Sequence, residues 1–144
     1  MLLILAALVI WGVSAALMGG DEPSTTPTPV SSDRTLSQAG CHGAEQTLQN
    51  LLDEINASGA TLLAPNVIAE MHDAEAMMAS HAANTPDPGA AKAIAATAEH
   101  LSALLATIVA VDGEALVAEA GRTEQIATDL GLACALIGAP LSLD

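Results

Sequence analysis

The residues best suited to chemistry crowd into one stretch, where Glu70, Met71, His72, Asp73, Glu75, Met77, Met78 and His81 fall within three turns of a predicted helix. Thioether sulfur with imidazole suits Cu(I), and imidazole with carboxylate suits a harder ion. On a helix, His72 and Glu75 share a face at i, i+3, as do Met78 and His81, while Met77 and His81 meet at i, i+4. His72, Glu75, Met77, Met78 and His81 are therefore the candidate metal ligands. Packing also explains part of the cluster. Met71 and Met78 fall on the apolar stripe of that helix, where a flexible thioether fills gaps in a core without Phe or Tyr. The di-metal bundle pattern places Glu-x-x-His on two helices, and the chain contains none. The expectation is no resident cofactor, with metal or haem binding at this cluster as the alternative.

The stretch HDAEAMMA resembles the His-His-x-x-Ala-x-x-Met-Ala motif of a secreted helical-hairpin family at His72, Met78 and Ala79. Met71 stands in place of the first His and Glu75 in place of the Ala, so the match assigns no family.

Catalytic signatures are missing: the chain has no Gly-x-Ser-x-Gly elbow, phosphate-binding loop, Cys-x-x-Cys pair or His-Glu-x-x-His. His42 and His100 read as surface or boundary residues. No enzymatic activity is expected.

The elements that must carry these residues follow from apolar periodicity. Ala44, Leu48, Leu51, Leu52 and Ile55 form one stripe over 44–57, ended by Ser58-Gly59. Asn66 can cap a second helix running to about Ala83, with Val67, Met71, Ala74, Met78 and Ala82 inward. A third, over about 90–111, presents Ile94, Ala98, Leu101, Leu105 and Ile108. Residues 114–120 read as an extra turn or two ended by Gly121. A last helix from about Thr123 then carries Ile126, Ala127, Leu130, Ala133, Cys134 and Ile137. Short connections predict an antiparallel up-and-down four-helix bundle over residues 41–144.

That topology puts the start of the first helix and the end of the last at one end of the bundle. Cys41 and Cys134 sit at those two places, which predicts a disulfide in an oxidising compartment.

Residues 1–20, MLLILAALVIWGVSAALMGG, carry no charge and are long enough to cross a hydrocarbon core of about 30 Å. They read as a transmembrane anchor or uncleaved signal segment, with cleavage after the small residues Val13-Ser14-Ala15 as the competing outcome. Residues 21–40, rich in Ser, Thr and Pro, read as an extended linker. Together these place the domain outside the cytoplasm at the cell membrane, single-pass, or secreted if the segment is cut.

Three basic against seventeen acidic residues give a net charge of −14, which repels nucleic acid and anionic lipid headgroups. With no Phe or Tyr, and Trp11 alone inside the apolar segment, base-stacking platforms are also missing, so no nucleic-acid partner is expected. The fitting role is a tethered, non-catalytic interaction module. It would be an accessory or structural subunit docked on integral membrane protein subunits of a respiratory or transport complex.

Overall fold

The computed structural model describes residues 32–143, which form four helices and no strand. These are α1 (Ser32–Ala57), α2 (Pro65–Ala83), α3 (Pro88–Ala110) and α4 (Gly113–Leu136). The apolar segment 1–20 and linker residues 21–31 lie outside the described residues.

Residues 32–40, expected in the linker, instead form the first turns of α1. Ser37, Gly40, Cys41 and Ala44 recur at i, i+3, i+4 and i+7 and are all buried. This is helical periodicity written in small residues, so a search for large aliphatics passes over it. The turn between α2 and α3 covers this face, and Ser37 Oγ accepts from the Asp87 backbone N–H at 2.9 Å.

Helix α2 begins at Pro65, whose ring sets a helical φ and whose missing N–H costs nothing in a first turn. The preceding Ala64 makes no side-chain cap. Asn66, expected as the cap, instead donates to Glu54 and to Ser58 Oγ near the end of α1. Asp87 caps α3, accepting from Ala90 N at 2.8 Å, and Asp112 caps α4, accepting from Ala115 N at 3.1 Å.

The break expected at Gly121 is absent, and α4 runs unbroken through it. A helical glycine costs only about 1 kcal/mol relative to Ala. The Asp112 cap and the helix-forming residues around Gly121 outweigh that.

Consecutive helices pack side by side, and α1 also lies against α3. Helix α3 is long and apolar enough to cross a membrane by composition alone, but its place against all three other helices accounts for that apolarity. Helices α1 and α4 barely approach one another apart from the Cys41–Cys134 disulfide, where the Cα atoms are 5.8 Å apart. Beyond α4 the chain turns at Gly138, with φ at +81°, into a strap that buries Ala139, Leu141 and Leu143. Ser142 donates to Glu45 of α1 through its backbone N–H and its hydroxyl, at 3.0 and 3.1 Å. Arg34 and Gln38 of α1 both donate to the Ile137 carbonyl. Since Arg34, Cys41 and Glu45 share a face of α1, the strap lies on the side that the disulfide joins to α4.

Candidate functional site

The five candidate ligands on α2 spread around the helix. Met78 is fully buried in the core, whereas Met77 is 46 % exposed and His72 is exposed. His72 and Glu75 border an open groove between α2 and α3 whose floor is Ala76, Ala79, Ala95 and Ala98. His81 turns the other way, toward α1. Thr47 donates to the Gly43 carbonyl at 2.8 Å, and its oxygen lies 3.4 Å from His81 Nε2. A methyl group at Gly43 would overlap the His81 ring, and one at Gly40 would overlap the Thr85 hydroxyl. These two glycines let polar side chains of α2 and its following turn lie flat on α1. Among the described residues no group of three or more His, Cys, Asp or Glu side chains is placed to hold a metal ion.

The polar centre with the most defined geometry is His100, expected as a surface or boundary residue. It is 4 % exposed, on the face of α3 that receives α4. Its Nδ1 lies 3.2 Å from Glu119 Oε2 and its Nε2 lies 2.8 Å from Thr123 Oγ1. Glu119 and Thr123 are one turn apart on α4, so they grip the ring from both sides. Arg122 Nη1 donates to both carboxylate oxygens of Glu119 at 3.2 Å and holds that carboxylate in place. With a proton on Nδ1 the ring donates to the Glu119 carboxylate, while the Thr123 hydroxyl beside Nε2 also donates to the Glu119 backbone carbonyl at 3.3 Å. Burial lowers the His100 pKa, and Arg122 adds to that; the hydrogen bond and charge of Glu119 oppose them without reversing the direction. Burial thus favours the neutral ring over the imidazolium.

The signal that sequence inspection missed was the Glu119/Thr123 pair at i, i+4. It offers a carboxylate and a hydroxyl toward the one histidine of the facing helix.

Beside this clasp lies an apolar cavity of about 70 Å³, walled by Leu51, Ile55, Met71, Leu101 and Ile108, with His100 and Thr123 at its edge. It occupies the space where α1 and α4 fail to meet. Among the described residues every buried side-chain polar atom has a hydrogen-bond partner. His42, in contrast, is exposed and lies 3.6 Å from Glu45.

One further feature concerns the outer face of α4. Val117, Gly121, Gln125, Thr128, Leu132 and Leu136 follow one another at steps of four, four, three, four and four, and all are exposed. This stripe carries no charge, on a chain whose net charge is −14. Comparison with protein-family models, with curated proteins and with solved structures gives no match, so the functional reading rests on these residues alone.

Proposed function

We propose that the chain is a membrane-tethered, extracytoplasmic interaction module, an accessory or structural subunit that docks on integral membrane subunits of a larger protein complex. The observation that carries this reading is the uncharged stripe Val117–Gly121–Gln125–Thr128–Leu132–Leu136 on α4. Val117 and Leu136 are 62 % and 77 % exposed, and from Gly113 to Ile126 the helix contributes no buried residue to its own core. The inner face of α4 packs on α3 and buries Ala127, Leu130 and Cys134, which leaves the uncharged outer stripe available for burial against something outside the domain.

The disulfide supports an oxidising compartment, and the uncharged segment 1–20 supports attachment to the membrane with the helical domain outside the cytoplasm. Residues 21–31 would then link segment 1–20 to α1, which begins at Ser32. If the segment is cut, the same domain is secreted. The account assigns the domain no catalytic role. Photo-crosslinkers placed at 117 and 132 in the native membrane test it. Adducts with an integral membrane protein are expected, and a chain that yields only internal or no adducts contradicts the docking role.

A further inference from the structure

We infer that the cavity between α1 and α4 is a binding site for the end of an uncharged alkyl chain. Its wall is mostly aliphatic, with six leucines, three isoleucines, Met71 and Ala127, and among the described residues no Phe, Tyr or Trp stands there to stack on a ring. Its polar neighbours make no demand on a guest. Thr97 donates to the Ala93 carbonyl at 2.9 Å, and His100 spends both ring nitrogens on Glu119 and Thr123. A cavity lined this way stays dry and gains by taking an apolar guest.

Size and charge narrow the class. At about 70 Å³ the cavity has roughly half the ~150 Å³ of an apolar cavity known to hold benzene, so it admits a slim chain end rather than a ring. No basic residue lines the cavity, Arg122 next to Thr123 is held by Glu119, and the chain as a whole carries −14. An anionic headgroup at the mouth would find no partner and a repelling field. The guest is therefore a neutral amphiphile, such as an alkanol, with its tail against Leu101 and Ile108.

Access is also built in. The half of α4 that borders the cavity holds no buried residue before Ala127, and the His100–Glu119/Thr123 clasp is the polar tie between that half and α3. The apolar side chains that hold this segment down, Leu116 and Ile126, are only partly buried, so a small outward shift uncovers little fully buried surface.

Methyl-resolved NMR on the full chain in nanodiscs of perdeuterated phosphatidylcholine tests the site, with n-hexanol as probe. Saturable shifts and intermolecular NOEs at the Leu101, Ile108 and Met71 methyls are expected, with hexanoate binding about tenfold more weakly. Ala127→Leu fills the cavity from α4 and Leu104→Phe fills it from α3, and each should abolish the NOEs. NOEs confined to the exposed Val117, Leu132 and Leu136, or no saturable shift in the wild-type chain, overturn the proposal. Equal binding of hexanoate overturns the uncharged headgroup. The wild-type NOEs decide the matter even if neither filled variant folds.

Discussion

His100 Nε2 lies 2.8 Å from Thr123 Oγ1, and this contact, backed by Glu119 on the other ring nitrogen, ties α3 to the loosely buried half of α4. Both partners come from one turn of α4, so the ring reports whether that turn is docked.

The first prediction is the pH dependence of this clasp. The pKa of His100 is lowered in the fold, so the unfolded chain takes up its proton first as the pH falls. The stabilisation is fully present above the unfolded value of ~6.5 and is lost as the pH falls through the lower folded value. In urea unfolding, wild type should lose stability relative to His100→Gln between pH 7.5 and pH 5. Parallel curves for the two proteins over that interval would refute it.

A second prediction concerns Gly43. A methyl group there collides with the His81 ring, so Gly43→Ala should destabilise by about 1 to 3 kcal/mol. In a His81→Ala background the collision is gone, and the same change should turn neutral or stabilising by up to ~1 kcal/mol through helix propensity. A double-mutant cycle from denaturant midpoints measures that change of sign, and additive effects would contradict the packing described.

The α3–α4 connection carries a backbone penalty. Val111 closes α3 at φ 54° and ψ 36°, the left-handed region that a β-branched residue rarely adopts, and its side chain is exposed. Val111→Gly should therefore raise the unfolding free energy by about 1 kcal/mol, read as a higher thermal midpoint. A lower midpoint would show that the side chain contributes contacts that outweigh the strain.

The disulfide gives a fourth expectation. Cys41 and Cys134 close a loop of 93 residues, which by loop-closure entropy is worth up to about 4 to 5 kcal/mol. Replacing both with Ala should cost most of that in urea unfolding. A loss under about 1 kcal/mol would mean that the C-terminal strap and the α1 contacts already hold this end closed.

Much of this architecture was legible in residue spacing. Ile94, Ala98, Leu101, Leu105 and Ile108 are all buried as their stripe requires, and the two cysteines meet as expected, although Cys41 is the tenth residue of α1 and not at its start. Two of the departures share a cause, burial achieved by small or polar residues. Ser37 and Gly40 carry the start of α1 without an apolar side chain, so nine helical residues looked like linker. His100 is buried because Glu119 and Thr123 satisfy it from another helix, a pairing that no spacing within α3 reveals. Gly121 looked like a break because a propensity scale does not weigh the caps and flanks that override it. The Met/His cluster of α2 illustrates the converse: proximity in sequence put five candidate donors within three turns, and the helix then aimed them at the core, at α1 and at solvent.

The central claim is that the uncharged face of α4 docks the tethered domain on a membrane partner. The most direct measurement is mild-detergent extraction of the full chain from its native membrane, beside the variant Val117→Glu/Leu132→Glu/Leu136→Glu. The account predicts that wild type elutes with an integral membrane protein in fixed stoichiometry. The variant, with an unchanged melting temperature, should elute alone. A wild-type chain that elutes as a lone monomer, or a variant that keeps its partner, would contradict it.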